Sequence, residues 1–253
     1  MNDSRWPSDL VLVRHGQSTG NLADAHARST HAEVVDVAER DADVPLSALG
    51  VAQAQAVARW LAQDPQAPPV PEVVVASPYL RARDTAEAIV RGLHEQGVDL
   101  PLRTDERLRE RDLGWWDGLT GRGVRARFPE EAERRRRIGK FYYRPPGGES
   151  WCDVALRVRS VLSTLREDHP GQRVLVVSHQ AVIMNFRLVL EDLDEPTLLR
   201  LDAEEPLANC SVTAYRGDGG RPVLDRAGDV SAVRDVRVTD DPVDDEPRGA
   251  VAR

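Results

Sequence analysis

Two histidines stand just beyond apolar runs. In "LVLVRHGQSTGN", the run Leu10–Val13 leads directly into Arg14, His15, Gly16 and a row of short polar side chains. In "VLVVSHQ", a second β-branched run, Val174–Val177, is followed by Ser178 and His179. A third run, "VVVA" at Val73–Ala76, precedes "SPYLRARDTA", which puts Arg81 in the first turn of a following helix. Two imidazoles and two guanidiniums delivered from three strand ends suit one ligand above others. A phosphoryl group spreads negative charge over several oxygens, and arginine forks match it bidentately. A neutral His15 would act as nucleophile, its second ring nitrogen oriented by a backbone carbonyl, while Arg14, Arg81 and a protonated His179 hold the equatorial oxygens. Gly16 lets the chain turn sharply and approach the bound group, and the next helix would aim free N–H groups at it. Gln17, Ser18 and Asn21 add short hydrogen-bonding arms. The leaving oxygen needs a proton, and Glu110 in "ERLRERDLGWWDGLT" is the best candidate donor, set among arginines and close to a Gly-Trp-Trp stretch that would shield it from water. Spacing alone leaves Glu106 and Asp112 open as alternatives.

The elements that must position these groups follow from periodicity. Each of the three runs reads as a buried strand. Between them, Ser47–Leu61, Leu80–Leu93 and Ser150–Leu165 place apolar residues along one helical face. Strands alternating with helices of this length imply right-handed crossovers and a mostly parallel central sheet covered on both faces. The expected class is therefore α/β, a three-layer α/β/α arrangement. In such sheets ligands bind beyond the carboxyl ends of the strands, where His15 and His179 both belong. The polar stretch Asn21–Val44 lacks a clear period and reads as a long loop or short helix over the sheet edge, a place where lids occur. Glu106–Tyr143 is a second irregular region, a helical excursion that ends in the turn "RPPGG" at Arg144–Gly148. Within it, "EEAERRRRIGK" spaces Glu130, Glu131 and Glu133 four residues before Arg134, Arg135 and Arg137, as a solvated helix laced with weak ion pairs would. From Gly228 onward, acidic residues and prolines with few large apolar groups predict a disordered tail. The expected organisation is one domain over 1–227 and a tail over 228–253.

With these residues in hand, a resemblance is apparent. "LVRHGQSTGN", "PLSALGVAQA", "SPYLRARDTA", "LRERDLGWWDGLT", "GGES" and "VLVVSHQ", in that order, resemble the motifs of the histidine phosphatase superfamily, the phosphoglycerate mutase-like family, across roughly Leu10–Tyr215. The resemblance implies a phosphoglycerate mutase-like fold, phosphorylation of His15, and a phosphate pocket of Arg14, Arg81 and His179. It selects Glu110 as the proton donor that then activates water, puts Asn21 on a phosphate-contacting position with Gln17 and Ser18 beside it, and requires neither metal nor cofactor. Within the family, hydrolysis of a small phosphomonoester ranks first. A mutase-type transfer is the alternative, although the mutases' later arginine pair has no match in this sequence. A fructose-2,6-bisphosphatase-like reaction is suggested by Gln180 and "YYRPPGGESW", but Gly147 and Met184 stand where that subgroup has a lysine and an arginine. Arg144 and Gln180 remain as substrate contacts on that comparison. A phosphate-binding module without catalysis is the reading from another class, disfavoured because all five central residues are present.

Composition limits the partners. A formal net charge of -8 repels polyanions, so nucleic acid and anionic membrane are not expected, and any anion must be captured by a local cluster of cations. Cys152 and Cys210 are too few for a disulfide framework and read as small core residues, which suits a cytoplasmic protein with no apolar leader and no membrane span. The expected partner is a small phosphorylated substrate, with a homodimer as the oligomeric form left open. His26, His31, His94 and His169 lack metal-ligand spacing and read as solvated. Trp115 and Trp116 read as packing residues.

Overall fold

In a computed structural model, residues 6–217 and 220–241 of the chain are described. The apolar runs become the centre of a single six-stranded sheet. Its strands are β1 (Asp9–Arg14), β2 (Val73–Ala76), β3 (Leu102–Thr104), β4 (Arg173–Ser178), β5 (Val212–Arg216) and β6 (Val223–Asp229), in the order β3-β2-β4-β1-β5-β6. The first three pairings in space, β3 to β2, β2 to β4 and β4 to β1, are parallel, and β5 and β6 close the other side antiparallel. The fold is thus α/β with a mostly parallel sheet, as expected.

Side chains alternate along each central strand and feed two cores. Leu10, Leu12, Val73, Val75, Val174 and Val176 enter one face, against α6 (Trp151–Asp168), α7 (Gln180–Leu190) and α8 (Glu195–Glu204). Val11, Val13, Val74, Ala76, Leu175 and Val177 enter the other, against α2 (Ala48–Gln63) and α3 (Leu80–His94). Alanines thin the α2–α3 contact: Ala54, Ala58, Ala82 and Ala86 are fully buried, and a Cβ at Gly92 would lie 2.6 Å from that of Ala58. Helix starts are fixed locally by Ser47, which accepts the Gly50 N–H, and by a Ser150–Asp153 capping box.

The register aligns the functional strand ends. Val13 pairs with Val177 and Val177 with Ala76, so Arg14, Ser178 and Ser77 reach the same sheet edge together.

The two irregular regions are more ordered than their composition suggests. Asn21–Val44 begins inside a helix, α1 (Thr19–Ser29), capped by Ser18 with Asn21 in a capping box, and continues to a 3-10 turn at Asp41–Asp43. Its middle is pinned to the second region by the Val35 N–H to Gly118 and the Thr120 N–H to Glu33, at 2.9 and 3.1 Å. That second region carries α4 (Gly121–Arg127) and α5 (Pro129–Ile138). On α5 the pairs Glu133–Arg136 and Glu131–Arg134 form at i,i+3, and Arg135 is buried over the Trp116 ring, so this helix is not solvated all round.

A larger correction concerns the tail. The residues from Gly228 to Asp241, expected to be disordered, are packed: the end of β6 pairs with β5, and Ala232 and Val233 enter the core beside α2. Two small apolar residues, the antiparallel edge of β5 and hydrogen bonds from Gln53 and Asn209 dock the segment, and a low average hydropathy hid them. The expectation for 242–253 lies outside the described residues. Among the described residues no helix is long and apolar enough to cross a membrane.

Candidate active site

His15 sits at the open edge of the sheet because β1 cannot continue. Its N–H is taken by Ser178 O at 2.9 Å, and the turn after it is wedged against the start of α2. A Cβ on Gly16 would lie 2.5 Å from Gly50 O, and one on Gly50 would lie 2.0 Å from Gln17 O, so both positions need glycine. The Gly16 N–H donates to Thr85 Oγ1 at 3.0 Å, and Thr85 Oγ1 donates to Arg81 O at 2.6 Å, which ties the turn to α3.

Within this frame the His15 Nδ1–H donates to Gly16 O at 2.8 Å, leaving Nε2 as the nitrogen without a backbone partner. The His179 ring lies beside it, with centroids 5.1 Å apart. His179 Nε2 and Ser77 Oγ share a hydrogen bond of 2.8 Å, and His179 Nδ1 is buried with no hydrogen-bond partner among the described residues. Both imidazoles are held well below the ordinary histidine pKa, first by burial and then by the charge of Arg81. In the ligand-free protein His179 is therefore driven toward the neutral form, not the protonated form expected from the sequence.

The two arginines flank the imidazoles. Arg81, on the first turn of α3, is 6% exposed and Arg14 2%. Arg81 meets Asp41, donating from Nη1 to its backbone oxygen at 2.5 Å and pairing with its carboxylate at 2.9 Å. Arg14 donates from Nη1 to Leu207 O and from Nη2 to the Asp241 carboxylate. Helices α3 and α7 both start here without a side-chain cap, at Tyr79 and His179, which leaves their first N–H groups turned to this edge.

Glu110 approaches from the loop after the 3-10 turn Glu106–Leu108. That loop is pinned from below by Ser178 Oγ, which donates to Leu108 O at 2.8 Å, and by Arg157, which donates to Arg107 O at 2.6 Å and to Glu110 O at 3.3 Å. Glu110 Oε1 accepts the Arg111 N–H at 2.7 Å. Desolvation nevertheless raises its pKa above the ordinary carboxyl value, against the opposing pull of that hydrogen bond and of Arg81.

His15, His179, Arg14, Arg81 and Glu110 are thus brought together by strand ends and loops from across the chain. Ser18 and Asn21 stand beside them, but Ser18 is spent on capping α1, and Asn21 Nδ2 donates to Asp241 at 2.5 Å. Gln17 Oε1 accepts from Ser47 Oγ at 2.8 Å. The two other expected substrate contacts also have carboxylate partners. Exposed Arg144 pairs with Asp153 at the start of α6, and the Gln180 amide donates to Asp202 of α8 at 3.0 Å.

Asp41, Ser77, Asn209 and Asp241 were not singled out by sequence. Ser77 had a usable signal, its place directly after the strand Val73–Ala76. Asp41 and Asp241 had none, since each is one acid in a stretch of exposed-looking acids.

A family model for the histidine phosphatase superfamily, branch 1, matches residues 10–230. A 2,3-bisphosphoglycerate-dependent phosphoglycerate mutase of Methylobacterium radiotolerans is 34% identical over 227 residues, covering 84% of this chain and 98% of that protein. A bifunctional protein of Mycobacterium tuberculosis is 34% identical over 223 residues, 86% of this chain but only 53% of its own length. Among solved structures, a mycobacterial glucosyl-3-phosphoglycerate phosphatase bound to VO3 superposes with a TM-score of 0.64 at 29% identity, over 88% of this chain and 99% of that one. With motifs, fold and the matched span in agreement, the chain belongs to the histidine phosphatase superfamily, whose members are phosphatases and mutases.

Proposed function

We propose that this chain hydrolyses small phosphomonoesters through a phosphohistidine formed on His15. The observation that carries the reading is the His15 ring itself, locked through Nδ1 to Gly16 O and kept neutral by burial between two guanidiniums. Nε2 then attacks phosphorus in line with the departing alcohol oxygen, which leaves with the proton of Glu110. Arg14, Arg81 and His179 Nδ1–H take the charge of the equatorial oxygens. In the second half Glu110, now ionised, accepts a proton from water, the oxygen attacks phosphorus, and the bond to His15 Nε2 breaks to give inorganic phosphate. The raised pKa of Glu110 suits a group that must hold a proton at one step and take one at the next.

Hydrolysis is preferred to mutase transfer because the mutases' later arginine pair has no match in this sequence. The rim itself is mixed in charge, with Asp41 and Asp112 acting on Tyr79 together with Arg81 and Arg109. The mutase reading keeps its support from the Methylobacterium relative.

A turnover screen separates the readings. It would include p-nitrophenyl phosphate, glucosyl-3-phosphoglycerate, and 3-phosphoglycerate with and without 2,3-bisphosphoglycerate. Phosphate release from monoesters in excess of any isomerisation is expected. Isomerisation faster than hydrolysis would make the protein a mutase, and binding without turnover would make it a binding module.

A further inference from the structure

We infer that Asp241, from the C-terminal stretch, is a positioning residue that sets Arg14 and Asn21 for a phosphate oxygen, an inference that rests on the phosphatase reading above. Arg14 carries a fixed charge at 2% exposure beside two imidazoles held toward neutrality. A buried guanidinium without a counter-ion is strongly destabilising, so a partner is required. Neither β1 nor its neighbours supply an acid at this edge; Asp241 does, bridging the site with both carboxylate oxygens. Oδ2 accepts from Arg14 Nη2, and Oδ1 accepts from Asn21 Nδ2 at 2.5 Å.

The bridge leaves each donor group with something to give. Arg14 Nη1 is spent on Leu207 O and Nη2 on Asp241, while Nε is buried with no hydrogen-bond partner among the described residues. Asn21 Oδ1 accepts from the Ser18 N–H and from Ser18 Oγ, each at 2.9 Å, which fixes the amide so that its nitrogen faces Asp241 with one N–H to spare. With Asp241 in place, Arg14 Nε and one Asn21 N–H are uncommitted among the described residues.

Asp241 is held there by a built connection. The Asn209 N–H donates to Thr239 O at 2.7 Å, and Thr239 Oγ1 donates to Asn209 Oδ1 at 2.9 Å. Gln53 Nε2 on α2 donates to Thr239 Oγ1 and to Arg237 O, both at 2.9 Å. Asn209 Nδ2 in turn donates to His15 O at 3.1 Å, so the strap that carries Asp241 and the backbone of the nucleophile share one anchor.

The opposing possibility is that Asp241 is an anion resting where phosphate must go. The two roles move phosphate affinity in opposite directions. The experiment takes the full chain with Asp241→Ala, Asp241→Asn and Asp241→Glu, measures inorganic phosphate binding by calorimetry, and separately follows p-nitrophenyl phosphate turnover. For Asp241→Ala, phosphate binding is expected to weaken about tenfold or more, with KM raised by a similar factor and kcat changed less. Asp241→Asn, which keeps the shape and an acceptor, should fall between, and Asp241→Glu should recover part of the affinity, a rescue that a merely structural role would not show. Unchanged or tighter phosphate binding in a folded Asp241→Ala or Asp241→Asn protein would overturn the inference. Because binding is read without turnover, failure of the phosphatase reading would appear separately, as wild-type protein that binds phosphate and hydrolyses nothing.

Discussion

His15 and His179 lie ring beside ring at 5.1 Å, each fixed through one nitrogen and each pushed below the ordinary histidine pKa by burial and by Arg81. The unfolded chain takes up protons near pH ~6.5 at such residues, whereas the folded chain resists until lower pH. Stability from this source is therefore complete above the unfolded value and lost as the pH falls through the folded values. Thermal melts from pH 7 to pH 5 should show a steeper loss for the wild type than for His179→Gln. Parallel slopes would contradict the assigned environment.

Glu110 carries the opposite sign. Its folded pKa is raised, so its charge costs stability once the pH exceeds the unfolded carboxyl value, and the cost grows until the folded value is passed. Glu110→Gln should melt higher than wild type at pH 7 and gain less near pH 4. The same substitution should lower kcat by about 10²- to 10⁴-fold, as loss of a general acid does. A variant that gains stability without losing turnover would assign the proton to another group.

How far the sequence reached depends on what each residue relies on. The strand ends were legible because burial on both faces forces continuous apolar runs, and a strand that stops in Arg-His or Ser-His advertises its edge. Arg81 was legible through the family resemblance, since its place after such a strand fits an exposed helical arginine equally well. Asp41 and Asp241 were not, since a carboxylate that crosses 40 or more than 200 residues of sequence to meet an arginine leaves no local pattern. The carboxylate partners of Arg144 and Gln180, Asp153 and Asp202, are likewise not displayed by a motif.

Asp41 covers the fork of Arg81 through both its backbone oxygen and its carboxylate, from a rim position 39% exposed. A phosphate dianion would compete for the same fork. Asp41→Asn should therefore bind inorganic phosphate several-fold more tightly, read as a lower inhibition constant against p-nitrophenyl phosphate. Weaker inhibition would mean that Asp41 orients Arg81 instead of screening it.

Gly50 tests the backbone wedge beneath the nucleophile. A Cβ there meets Gln17 O at 2.0 Å, and neither partner is a flexible side chain. Gly50→Ala should cost about 1–3 kcal/mol of stability by denaturant titration, and should lower turnover by displacing the turn that holds His15 Nδ1. A neutral outcome in both would show that the turn yields freely.

The most direct test of the mechanism is to quench the enzyme during turnover of a phosphomonoester and map covalent phosphate by mass spectrometry under alkaline conditions. A phosphohistidine route predicts one phosphoryl group on the peptide that contains His15, labile to acid and absent from His15→Ala, which should retain almost no activity. Sustained turnover by His15→Ala, or a phosphoryl group trapped on a different residue, would contradict it.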